Sequence, residues 1–109
     1  MERERIVGDV GLLDDQDFPV YTIGQAAQVL GVQQAFLRSL DAADIMRPQR
    51  SGGGHRRYSR RQLKLVVRLR EQLDAGHSLA AAGQIVDLQD RLAAAEHEIT
   101  GLRERLSHN

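Results

Sequence analysis

Residues 47–62 read RPQRSGGGHRRYSRRQ, six arginines in sixteen residues around three consecutive glycines. The chain has 109 residues and zero formal net charge, with fifteen Lys/Arg and fifteen Asp/Glu. Its charge is therefore sorted along the sequence: nine basic residues and no acid lie between Arg47 and Arg70. Gln49 to Tyr58 reads as a hairpin, two short strands around a Ser-Gly-Gly-Gly tip where glycine permits positive φ and close backbone approach. Pro48 disfavours helix at the residue before it and separates the hairpin from what precedes. A run of cations is tolerated when solvated and stabilised by a polyanion, because each Arg that meets a phosphate releases a counterion. A solvated basic face is the plain alternative. Location favours the polyanion: the run continues into the first turn of the next helix, where Arg60 and Arg61 oppose the helix dipole and call for an anion from elsewhere. Arginine outnumbers lysine fourteen to one; its planar fork suits phosphate and guanine, although GC-rich coding produces the same bias.

Upstream lies VYTIGQAAQVLGV, residues 20–32. Thr22 and Gln25 have capping-box spacing. Ile23, Ala26, Ala27 and Leu30 then share one helical face, Gly31 ends the helix as a left-handed cap, and Val32 can plug back onto that face. A second helix is expected at about 34–44, with Phe36, Leu37, Leu40 and Ile45 turned inward. Two short helices joined by Gly-Val have helix-turn-helix spacing. Many proteins that never touch DNA contain such pairs, so the basic hairpin that follows is what gives this one its meaning.

Downstream, Ser59 and Gln62 form a second capping box opening a helix whose inward residues are Leu63, Val66, Val67, Leu73 and, at an edge, Leu69. Gly76 stops it, and Ser78 caps another helix starting at Leu79. From there Ile85, Leu88, Leu92, Ala95, Ile99, Leu102 and Leu106 step by 3 and 4 in alternation, an a/d heptad seam. A helix lying on its own domain is the simpler reading, but an arm of ~30 Å at 1.5 Å per residue outreaches so small a domain. The seam therefore predicts a coiled coil with a second subunit. Residues 1–19 read as a flexible acidic leader, with a weak short helix around 3–13 and with Phe18 and Val20 folding back. The domains are then leader 1–19, DNA-binding domain 20–83 and dimerisation helix 84–109.

Several classes are disfavoured. No apolar run approaches the ~20 residues of a membrane helix, and no secretory signal opens the chain. There are no cysteines, hence no disulfide or thiolate metal site. His55, His77, His97 and His108 lack ligand spacing with carboxylates. Phosphate loops and nucleophile elbows are missing, so neither enzyme activity, cofactor nor metal is expected. A cytoplasmic, nucleoid-associated location is.

The order of these pieces resembles the MerR family of bacterial transcription regulators over about residues 20–106. The resemblance rests on Tyr21-Thr22-Ile23-Gly24 with Ala27, Leu37-Arg38, Arg47-Pro48 and the Gly54-to-Ser59 wing. The wing and the short arm look most like the heat-shock-repressor branch. It implies a mainly α protein: a winged helix-turn-helix with a small β-hairpin wing and a C-terminal coiled-coil helix. It also implies an antiparallel homodimer on a near-palindromic operator in double-stranded promoter DNA, without an effector domain. Thr22 would cap the first helix near a phosphate, Arg38 would lie on the recognition helix, and Arg56 and Tyr58 would be wing contacts. Gln33, Gln34, Arg47, Arg50, His55 and Arg57 complete the candidate DNA-binding set.

Two departures stand out. Gln33 occupies the position where the family usually caps the recognition helix with Ser or Thr, and Ser39-Leu40 replaces the usual aromatic pair, so half-site preference does not transfer. The g/e pairs Arg91 with Glu96 and Glu98 with Arg103 suit a parallel coil, but such surface pairs are worth under about 1 kcal/mol. Two alternatives remain beside a repressor. One is a MerR-like module binding a protein such as a co-chaperone, possible in addition as a co-regulator. The other is an architectural DNA-binding protein, marked by a shallow specificity ratio and strong salt dependence.

Overall fold

Thr22 starts the first helix as its side chain predicts. In the computed structural model, which describes residues 15–108, the Thr22 hydroxyl accepts from Gln25 N at 3.1 Å and Gln25 Oε1 accepts from Thr22 N at 2.9 Å. Helix α1 runs Ile23–Leu30. It ends at Gly31, whose φ of 67° lets Val32 N donate back to Ala27 O at 3.0 Å, the Schellman pattern. Helix α2 is Gln34–Ala42, two residues shorter than expected. Asp44 takes a left-handed φ of 59° and turns the chain before a further turn can form. Ile45 N and Met46 N both donate to Leu40 O. Ile45 is half-buried and Met46 buried.

The wing is a three-stranded antiparallel sheet of order β1-β3-β2: β1 Pro19–Thr22, β2 Gln49–Arg50 and β3 Arg56–Ser59. The outer strand β1 takes the last residue assigned to the leader, Pro19, into the sheet. It pairs Tyr21 with Tyr58 and Thr22 with Arg57, with a bulge between Pro19 and Tyr21. β2 pairs Gln49 with Arg57 and Arg50 with Arg56. The tip closes through Ser51 N to His55 O (2.9 Å) and Gly54 N to Ser51 O (2.8 Å), with Gly54 at φ 80°. A side chain at Gly52 would meet nothing within 4 Å. Phe18 and Val20 do not fold inward; both remain exposed. The helix expected around 3–13 lies outside the described residues.

Helix α3 spans Arg60–Asp74 and α4 spans Leu79–Ser107. The second capping box holds: Ser59 Oγ accepts from Gln62 N at 3.1 Å and Gln62 Oε1 from Ser59 N at 2.9 Å. Gln62 Nε2 also donates to Arg47 O at 2.8 Å, fastening the loop after α2 to the start of α3. Of the expected inward face, Leu63, Val66 and Leu69 are buried, Leu73 is half-buried and Val67 points to solvent. Val67 sits one position beyond the i, i+3, i+6 series of the other three, which already fills the stripe.

The chain divides into two compact units at Val67/Arg68. The first holds α1, α2, the sheet and the start of α3, and its core includes Ala26, Ala27, Leu37, Leu40, Met46, Tyr58, Leu63 and Val66. In the second, Leu69, Ala82 and Val86 are buried. Ser78 Oγ caps α4 by accepting from Ala81 N at 3.1 Å. Arg68 reaches three groups of α4: Asp90 Oδ1 at 2.6 Å, Gln89 Oε1 at 3.0 Å and Val86 O at 3.5 Å. Along α4, Leu88, Leu92, Ile99, Leu102 and Leu106 are all exposed, as is Ala95, while Ile85 is half-buried. Arg91 faces Asp87 one turn back, at 3.8 Å.

Candidate nucleic-acid interface

A recess of about 280 Å³ opens in the first unit, lined by Thr22 and Ile23 at the start of α1, Arg38 on α2, and Gly54 to Arg57 on the wing. Thr22, Arg38, His55, Arg56 and Arg57, far apart in sequence, are brought together there. Strand pairing explains part of this: Thr22 lies opposite Arg57, so the N-terminus of α1 meets the basic strand. The partial positive charge of a helix N-terminus adds to three arginines, and the recess suits an anion. Arg38 Nη2 donates to Gln34 Oε1 at 3.0 Å, so Gln34 steers Arg38 and does not itself line the recess. Gln33 starts α2 with no side-chain capping bond, leaving its amide exposed. Of the residues that replace the aromatic pair, Ser39 Oγ donates to Phe36 O at 2.6 Å and Leu40 is buried.

Several of the remaining cations find partners that a linear reading of charge does not show. Asp41 Oδ2 accepts from Arg50 Nη2 at 3.1 Å and from Arg56 Nε at 3.0 Å. Arg47 pairs with Asp44. Neither Arg47 nor Arg50 lines the recess. At the start of α3, Arg61 Nε donates to Asp17 Oδ1 at 2.6 Å, Lys64 Nζ to Gln16 Oε1 at 2.9 Å and Arg61 N to Gln16 O at 2.9 Å. The anion that Arg61 calls for is thus supplied by the chain itself, 44 residues upstream. Arg57 and Arg60 have no side-chain ion pair among the described residues.

Tyr58, expected among the wing contacts, lies in the core with no exposed surface. Its alternation with Arg57 on β3 turns it to the opposite face of the sheet. Its hydroxyl has no hydrogen-bond partner among the described residues. Burial pushes the phenol above its ordinary value of 10.0; Arg56 pulls it down and Asp41 pushes it up again. The folded protein therefore keeps this proton to higher pH than the unfolded chain. Stability from this group is level through neutral pH and falls as pH rises past about 10. Tyr58→Phe is expected to flatten that alkaline fall in thermal denaturation. At pH 7 it should cost nothing or add up to about 1 kcal/mol, since no partner is orphaned. A large loss at pH 7 would show that the hydroxyl is bonded after all.

Asp41 and Ile23 are the site residues that the sequence reading passed over. Asp41 had one available signal: it is the first acid after the leader and, with Asp44, one of the two acids just before the basic run. No group of His, Asp or Glu able to hold a metal occurs among the described residues, and no described helix is long and apolar enough to cross a membrane.

Residues 21–89 match the family described as MerR HTH family regulatory protein. A putative heat shock protein HspR of Streptomyces coelicolor is 35% identical over 79 residues, 72% of this chain and 52% of that protein. The chain thus spans about half the length of this curated relative. A MerR-family transcriptional regulator from Bacillus cereus superposes with a TM-score of 0.57 at 23% identity, over 80% of this chain and 72% of that one. HiNmlR, a MerR family regulator lacking the sensor domain and solved bound to promoter DNA, gives 0.58 at 21% identity, over 81% and 74%. These two share the winged helix-turn-helix fold, and the family is one of transcription factors, not enzymes. Matched over well more than half its length, the chain belongs to the MerR family of helix-turn-helix regulatory proteins.

Proposed function

We propose that this chain is a sequence-specific DNA-binding regulator that acts as a homodimer on a near-palindromic promoter site and represses transcription there. The recess formed by Thr22, Arg38, His55, Arg56 and Arg57 carries the reading. It sets cations from the second helix and from the wing around one helix N-terminus, where a phosphate satisfies all of them at once. The second helix then enters the major groove beside it. HiNmlR is bound to promoter DNA, and promoter DNA is the ligand proposed for this chain. The exposed leucines and isoleucine of the α4 seam support dimerisation: a row of apolar side chains at heptad spacing is stabilised by burial against a second copy. Repression is the outcome proposed here because a regulator that occupies a promoter blocks polymerase.

The test is recovery of genomic fragments on the purified protein at about 150 mM salt, which suppresses purely electrostatic binding. A few enriched fragments sharing an inverted repeat are expected. Uniform recovery would move the chain to the architectural class, and no recovery would move it to the protein-binding class.

A further inference from the structure

We propose that Asp41 sets how sharply this protein separates its own site from other DNA, by holding two wing arginines to the second helix. The proposal rests on the DNA-binding reading above.

Asp41 is on the last turn of α2, three residues after Arg38. A single oxygen, Oδ2, accepts from Arg50 on β2 and from Arg56 directly opposite on β3. One carboxylate therefore spans both strands of the wing hairpin. Arg50 extends the link, because its other terminal nitrogen donates to Gly54 O at 3.0 Å. Second helix, both strands and tip are joined through a chain of three charged hydrogen bonds. The Asp41 side chain is only 17% exposed and that of Arg56 24%, so salt screens this pair weakly. The contrast is Arg47 with Asp44, whose side chains are 74% and 65% exposed and which tie only one loop to itself.

Two consequences follow. Two guanidinium groups sharing one carboxylate present one net positive charge, so fewer counterions are released when the wing meets an arbitrary duplex. Binding to non-operator DNA is thereby damped. The wing is also fixed relative to Arg38 before DNA arrives, which lowers the ordering cost of the specific complex. Arg56 gives Asp41 only its Nε, and its terminal nitrogens stay available to an anion in the recess. Both consequences raise the ratio of specific to non-specific affinity. Asp41, an acid, contacts no phosphate; it is a positioning residue.

The experiment compares wild type, Asp41→Asn, Asp41→Glu and Arg50→Lys on a recovered operator fragment and on a scrambled duplex of equal length, across a salt series. For Asp41→Asn the scrambled duplex should bind several-fold tighter, with a salt slope steeper by about 0.9 per phosphate gained. The operator should bind more weakly, so the ratio falls by about tenfold. Asp41→Glu should restore part of the ratio. Arg50→Lys keeps the charge but loses the fork that joins Asp41 to Gly54. Its ratio should fall through the operator alone, and this variant carries the test if Asp41→Asn does not fold. Were both affinities to drop together, with ratio and slopes unchanged in Asp41→Asn and Arg50→Lys, Asp41 would be a stabilising residue only and the proposal overturned. A wild type without preference for any fragment would instead remove the sequence-specific reading, and this proposal with it.

Discussion

Arg56→Ala combined with Arg57→Ala is expected to weaken binding to operator and unrelated duplex alike, by about a hundredfold near 150 mM salt, and to flatten the salt dependence. Two lost phosphate contacts at about 0.9 each remove roughly 1.8 from the log–log slope. Both side chains line the recess. Arg57 has no ion pair among the described residues and can take up an incoming phosphate without giving one up there. Arg56 leaves two nitrogens available while Asp41 holds the third. Both side chains are half-buried, and Asp41 keeps Arg50 as a partner, so no carboxylate is left unpaired. The helical circular dichroism should therefore be unchanged. Contacts to phosphate carry no sequence information, so both duplexes lose affinity, the operator somewhat more because Asp41 also loses one of its two wing partners. If binding and slope are both unaffected, the wing does not belong to the interface.

Leu92→Asp is expected to convert the proposed dimer into monomers by sedimentation at micromolar concentration and to lower operator affinity by a factor on the order of a thousand. Leu92 is 60% exposed in the single chain, so the substitution leaves the subunit intact. In a paired seam the same position would be desolvated, and an unpaired carboxylate there is strongly unfavourable. Symmetry introduces the charge twice. Loss of the dimer splits a two-half-site interaction into two weak ones and removes the gain from effective concentration. A variant that still sediments as a dimer places the interface elsewhere. Full operator affinity from a monomer would mean that a single half-site suffices.

Elements specified by neighbouring residues were legible from the chain. Thr22 with Gln25 and Ser59 with Gln62 are local boxes, and both form. Gly31 and Gly76 stop their helices at positive φ, because only glycine adopts that geometry without strain. The long last helix follows from its heptads. What escaped notice depends on distance. Strand β1 is four residues with a bulge, too short and irregular to show an alternation. Its existence depends on β3, about 40 residues later. The charge run from Arg47 to Arg70 looked unbalanced because its anions come from outside the run: Asp41 and Asp44 just before it, Asp17 far upstream, Asp90 downstream. Tyr58 joined the wing contacts through the resemblance of the wing motif; on the strand it turns away from its neighbour Arg57, and its ring is buried.

The open space around Gly52 gives the wing a practical use. The chain contains no cysteine, and Gly52 lies at the tip without a positive φ and with nothing near its Cβ position. A thiol placed there would be the only one in the molecule, a single point for attaching a fluorophore outside the recess. Its emission would report whether and when the wing docks, in real time and without labelling the nucleic acid.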